Sequence, residues 1–232
     1  MRKLNFLGKK IMVITAHPDD ESYACAGTLY RNIKANGHNM LVCATYGEKG
    51  TSHMIRAMSA AKMKTIRKKE LGRVGRLLLL RPLVMLGLPD GQLMNHAGNL
   101  ENRCLALVRK HRPEVIISFG PDGISGHLDH ISVGKAAQAV ARRLHIPFLA
   151  VALPPSVAKQ AERFLRTRRS SGHYASTVRY GRPNYRVAVN ASIKKRALHL
   201  HESQMDNASA FTGFPQFAVK ELLKAEYFVD RS

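Results

Sequence analysis

His17, Pro18, Asp19, Asp20 and Glu21 follow one another directly after the apolar run Ile11-Met-Val-Ile-Thr-Ala16. Three carboxylates beside one imidazole repel each other unless a cation sits among them, so this group points to a divalent metal. The competing reading is a capped helix N-terminus with solvated acids. A second group, Gly120-Pro-Asp-Gly-Ile-Ser-Gly-His127-Leu-Asp129-His130, follows the apolar run ending at Phe119. If the two runs are neighbouring parallel strands where the order of the sheet reverses, both loops open into one crevice. His17, Asp20 and His130 then meet. Two imidazoles and one carboxylate leave a fourth tetrahedral position for water, the arrangement of a catalytic zinc.

Such loops need a scaffold that ends strands side by side. The run from Ile11 to Ala16 lacks polar alternation, which suits a parallel strand covered on both faces. Pro18 and the acids suit a turn into a helix, which continues through Lys34 and stops at Gly37. Further strands are expected over 39–45, 83–88, 114–119 and 147–152, with helices over 54–80, 99–111 and 129–143. This alternation predicts an α/β, Rossmann-like three-layer fold with a mainly parallel sheet. A smaller C-terminal strand/helix extension is expected from a strand over 185–190, a helix over 192–201 and an amphipathic element over 217–228. One domain is expected over 1–232, with a core at about 9–152 and the extension at about 153–232; residues 154–182 match no pattern.

The chain has 232 residues and 45% hydrophobic content, enough for one α/β domain. Cys25, Cys43 and Cys104 are odd in number, lack C-x-x-C spacing and fall in apolar segments, so they read as reduced core residues. No run approaches the roughly 20 apolar residues of a membrane span. With no cleavage-site pattern after the first residues either, a soluble cytoplasmic protein is expected. The formal charge is +21, from 37 Lys plus Arg against 16 Asp plus Glu. Two clusters supply much of it: Lys62, Lys64, Arg67, Lys68, Lys69, Arg73, Arg76 and Arg81, then Arg163, Arg166, Arg168 and Arg169. A field of this sign favours a phosphosugar, an acidic lipid surface or nucleic acid, or is simply a solvated surface.

Ala16-His-Pro-Asp-Asp-Glu21 together with His127-Leu-Asp-His130 resembles the LmbE-like, or PIG-L, superfamily of zinc-dependent de-N-acetylases. The likeness continues in Gly47-Glu-Lys-Gly50-Thr, Arg67-x-x-Glu70, Leu86-Gly-Leu-Pro-Asp90-Gly and His201-Glu-Ser-Gln204. The resemblance implies hydrolysis of the acetamide of an N-acetylglucosamine-type substrate, with one zinc ion per chain. It makes His17, Asp20 and His130 the zinc ligands and Asp19 the general base that takes a proton from the attacking water. On this reading a protonated His127, oriented and held charged by Asp129, helps stabilise the oxyanion. Asp19 and His127 remain alternative donors to the leaving amine. Arg67, Asp90 and His201 fall at positions that the resemblance assigns to substrate binding, and Glu21 is left between bonding a ligand histidine and capping the helix.

Two function classes follow. The first is a metal-dependent amidase acting on an N-acetylated amino sugar or glycoconjugate, with an anionic substituent suggested by the charge. The second is a binding protein using the basic surface on nucleic acid or anionic membrane. The paired acids and histidines are superfluous to a pure binder, and basic tracts without Trp lack stacking platforms, so nucleic acid is not expected as the primary partner. An anionic lipid surface and a homo-oligomer are both compatible with this reading.

Overall fold

Strands β1 (Lys10–Thr15), β2 (His38–Cys43), β3 (Leu80–Met85), β4 (Val115–Phe119) and β5 (Phe148–Ala152) pair in parallel. Strands β6 (Tyr185–Ala188) and β7 (Ala225–Asp230) complete the sheet, in the order β3-β2-β1-β4-β5-β7-β6. The computed structural model describes residues 6–50, 58–154, 156–158, 181–205 and 216–232. Helices are α1 (Asp20–Lys34), α2 (Ala60–Leu77), α3 (Ala97–His111), the short α4 (Gly123–Gly126), α5 (Leu128–Arg143), α6 (Ala191–His199) and α7 (Gln216–Lys224).

From β1 the chain moves outward through β2 and β3, then returns to place β4 on the other side of β1. Ile11, Met12 and Val13 stand opposite Val115, Ile116 and Ile117. The carboxyl ends of β1 and β4 are therefore adjacent at the reversal of strand order, where open α/β sheets leave a crevice. Met12 and Ile14 pack with Leu100 and Val133 on one face, while Ile11 and Val13 pack with Leu29 and Leu71 on the other. Burial on both faces explains the missing polar alternation, and each such side chain contributes about 2 kcal/mol. The strand end is thus a rigid base for the loop that follows it.

Several boundaries differ from expectation. Helix α2 begins after Ser59, whose hydroxyl caps the Lys62 N–H at 3.3 Å, and ends at Leu77; residues 54–57 lie outside those described. Strand β3 starts three residues before the expected 83, although the Leu86 and Leu88 N–H groups still bond to the Cys43 and Ala44 carbonyls. The expected amphipathic element over 217–228 is two elements, α7 and then β7. No Gly or Pro separates them, and the switch occurs because Ala225, Tyr227 and Phe228 are buried where the strand pairs with β5 and β6. That pairing is antiparallel, as is β6 with β7, so the parallel sheet carries a mixed edge. Cys25, Cys43 and Cys104 are free and buried. The cluster from Arg163 to Arg169 lies outside the described residues.

Candidate metal centre

Asp20 opens α1 and folds back on the end of β1. Its Oδ2 accepts the N–H groups of Ala16 at 3.1 Å and His17 at 2.8 Å, which closes a tight turn. Its Oδ1 is left to face His130 Nε2 at 3.2 Å. His17 Nδ1 lies 3.2 Å from that same His130 nitrogen. Donor atoms around a tetrahedral zinc, with bonds near 2.0–2.1 Å, stand about 3.3 Å apart.

The tautomers decide what this convergence means. His17 Nε2 faces Asp90 Oδ1 at 3.1 Å and Asp129 Oδ2 at 3.3 Å, two acceptors, so it carries the proton and Nδ1 keeps a lone pair. His130 Nδ1 donates to the Gly123 carbonyl at 3.0 Å, so Nε2 keeps a lone pair as well. Phe119 fixes the plane of that ring by stacking on it, with centroids 4.1 Å apart and planes 2° off parallel. Two lone pairs and a carboxylate oxygen then point at one spot, which is repulsive unless a cation lies between them. The donor set fits a divalent ion of the zinc type. The same field attracts a proton: burial alone would lower the His17 pKa, but Asp129, Asp90 and Asp20 raise it to about 10. A second set, His17, His127 and Asp129, also brings ligand atoms together. It is the poorer candidate, because Asp129 already accepts the Gly91 and Leu93 N–H groups at 2.7 and 3.0 Å.

Asp19 is turned the other way. Its φ of 113° is strained for a residue with a side chain. Arg67 holds it, with Nη2 3.1 Å from Asp19 Oδ2. The guanidinium also donates to the Gly47 carbonyl at 2.9 Å and to the Pro18 carbonyl. A Cβ at Gly47 or Gly50 would overlap this guanidinium, so both glycines leave volume for it. Burial raises the Asp19 pKa, opposed by Arg67 and reinforced by Asp20. Behind it, Glu21 accepts the Asp19 N–H at 3.1 Å and the His201 Nε2–H at 2.9 Å.

The family model described as PIG-L, GlcNAc-PI de-N-acetylase, matches residues 12–141, more than half of the chain and both loops of the centre. The chain belongs to the PIG-L family. It is 36% identical over 141 residues to a probable N-acetyl-alpha-D-glucosaminyl L-malate deacetylase 2 of Bacillus anthracis, covering 57% of this chain and 60% of that protein. It is 27% identical over 178 residues to a 1D-myo-inositol 2-acetamido-2-deoxy-alpha-D-glucopyranoside deacetylase of Streptomyces griseus, covering 65% and 54%. The match therefore spans little more than half the length of these curated relatives. Among solved structures, N,N'-diacetylchitobiose deacetylase of Pyrococcus horikoshii superposes with a TM-score of 0.69 at 21% identity, over 98% of this chain and 86% of that one. The 4-carboxy-2-hydroxymuconate hydratase GalB of Pseudomonas putida reaches 0.62 at 18% identity, over 97% and 96%. These likenesses show the fold, and a hydratase among them shows that the fold alone does not name the reaction.

Measured against this PIG-L scaffold, the residues named from sequence separate into two tiers. His17, Asp19, His127 and His130 retain solvent contact, and Asp20 joins them from beneath. Arg67, Asp90, Asp129 and His201 are buried; Arg67 is only 3% exposed and bonds Asp19, so it is not a solvated cation. Asp90 and Asp129 both back His17. The expected service of Asp129 to His127 is therefore revised: the contact runs from the Asp129 N–H to His127 Nδ1 at 3.2 Å, while the carboxylate serves His17. Burial, then His130 and His17, lower the His127 pKa to about 4. Glu21 bonds His201 and the Asp19 backbone, not a metal-facing histidine. Sequence reasoning assigned no role to Glu70, whose two oxygens take the Ser203 N–H and hydroxyl at 2.7 Å each. Its spacing in Arg67-x-x-Glu70 was the available signal, since i and i+3 share a helix face.

Proposed function

We propose that the protein hydrolyses the acetamide of an N-acetylglucosamine-type substrate, using one divalent ion, most naturally zinc, held by His17, Asp20 and His130. The observation that carries this reading is the meeting of two imidazole lone pairs and a carboxylate, with a second carboxylate, Asp19, held apart by Arg67. A bound zinc ion would polarise the acetyl carbonyl and lower the pKa of water in the site. Asp19 accepts a proton as the water oxygen bonds to the acetyl carbon. His127 at the open side is placed to assist the polar atoms of the acetamide. The C–N bond then breaks, and the proton returned to nitrogen releases a free amine and acetate. Relatives named as deacetylases of glucosaminyl malate and glucosaminyl inositol support the substrate class.

The formal charge of +21 supports an anionic substituent on the sugar. The test is amine release from a panel of neutral and anionic N-acetylglucosaminides, with and without chelator, at low and high salt. Chelation abolishes release throughout. Rising salt lowers kcat/KM for the anionic members and spares the neutral ones. Release that survives thorough metal removal would overturn the mechanism, and equal salt response would overturn the anionic substituent alone. An anionic-membrane or nucleic-acid function without catalysis is the second reading, and a panel on which nothing is cleaved would favour it.

A further inference from the structure

Helix α1 is broken at Cys25, whose φ of −151° and ψ of 15° lie far from helical values. The break is filled from the C-terminal part of the chain. Lys194 Nζ donates to the Tyr23 carbonyl at 2.7 Å. Glu226 accepts the N–H groups of Gly27 at 2.9 Å and Thr28 at 2.7 Å, and the Thr28 hydroxyl at 2.6 Å. Lys194 and Glu226 pair with each other at 2.7 Å, their side chains 0% and 1% exposed. In an unbroken helix the Tyr23 carbonyl would take the Gly27 N–H directly. Here an ion pair is spliced between those two groups. Gly27 permits the approach, since a Cβ there would overlap Val189 at the end of β6.

A fully buried ion pair is a poor source of net stability, because desolvating both charges offsets most of their attraction. Its yield is direction. The turn of α1 ahead of the break carries Asp20 and Glu21 and follows Asp19, and the same C-terminal segment grips that turn a second time through His201 on Glu21. We propose that the Lys194–Glu226 pair is a positioning device for the metal centre, fixing the angle between the halves of α1 and so aiming Asp20 at the ion. Lys194 and Glu226 both lie beyond residue 141, where the PIG-L match ends. The inference rests on the metal reading given above.

The test compares zinc affinity, by competition with a chromophoric chelator, across the wild type, the double variant Lys194→Met with Glu226→Leu, and Val108→Ala. The double variant removes the splice and lets α1 close its own hydrogen bond. Val108 is a buried α3 residue in the core on the other face of the sheet from the broken helix, so its truncation lowers stability without touching the splice. Zinc binding weakens about tenfold or more in the double variant, the scale seen when groups supporting a ligand are removed. In Val108→Ala it is unchanged at a comparable loss of Tm. A folded double variant that binds zinc as tightly as the wild type overturns the inference, as does a Val108→Ala variant that loses affinity in equal measure. Should the double variant fail to fold, the near-isosteric Glu226→Gln is judged on the same comparison. A wild type that takes up no zinc sinks the metal reading and this inference with it, a result distinct from the others.

Discussion

The loop after β1 and the loop after β4 each deliver one histidine to the same point, yet they are braced in opposite ways. The first is held by charge: Asp90 and Asp129 stand behind His17, Arg67 holds Asp19, and His201 holds Glu21. The second is held by shape, with Phe119 stacked on His130 and a backbone carbonyl taking its proton. Charge-braced parts can be tuned and titrated. Shape-braced parts give a fixed reference against which the other loop closes.

The sharpest way to break this picture is to remove the shared point. His130→Ala should lose both stoichiometric zinc and turnover, with thermal unfolding of the sheet retained, because the sheet does not depend on a loop side chain; metal analysis and calorimetry check this together. Next in size, Asp19→Asn should keep its zinc while turnover falls roughly 10²- to 10⁴-fold, the usual cost of losing a general base. If turnover survived, the β1 loop would not divide its two aspartates between ion and water.

Two milder changes sharpen the contrast between the braces. Asp129→Asn should weaken zinc binding by about 10- to 100-fold in chelator competition, since it disturbs both the proton on His17 and the N–H groups of Gly91 and Leu93. Asp90 reports on acid. Burial pushes its pKa up, but the hydrogen bond and charge of His17, with the Lys49 N–H, hold it at about 2. A folded pKa below the unfolded one gives stability that is present above pH 4 and lost as pH falls toward 2. Asp90→Asn should therefore flatten the fall in stability of the metal-free protein between pH 5 and pH 3 by about 1 kcal/mol, read by denaturant unfolding at the two pH values. Smallest of all, Phe119→Leu should loosen zinc less than about tenfold and without pH dependence, because ring stacking is worth about 1 kcal/mol.

The sheet around β1 and β4 was legible because unbroken apolar runs between turn signals have few other destinations. Adjacency of those strands then brings His17, Asp20 and His130 together. What lies one layer deeper was harder to read. Arg67 sits among Lys64, Lys68 and Lys69 in sequence, and only the helical period separates its buried position from their exposed ones. Gly47 and Gly50 vacate space for the guanidinium, which their own neighbours in sequence do not announce. The partner of Asp129 depends on how the loop carrying Asp90 folds over, which no local pattern states. Lys194 and Glu226 carried no signal, being single charges whose complements lie far along the chain.

That distance has a consequence for timing. Gly27 and Thr28 precede Glu226 by 199 and 198 residues, Tyr23 precedes Lys194 by 171, and Glu21 precedes His201 by 180. A nascent chain folded through β5 already owns His17, Asp20 and His130 but none of these distant clasps. Contacts of such span close late, because the chain between them must first lose its freedom. These clasps are therefore expected to form after the strands that carry His17, Asp20 and His130 have paired.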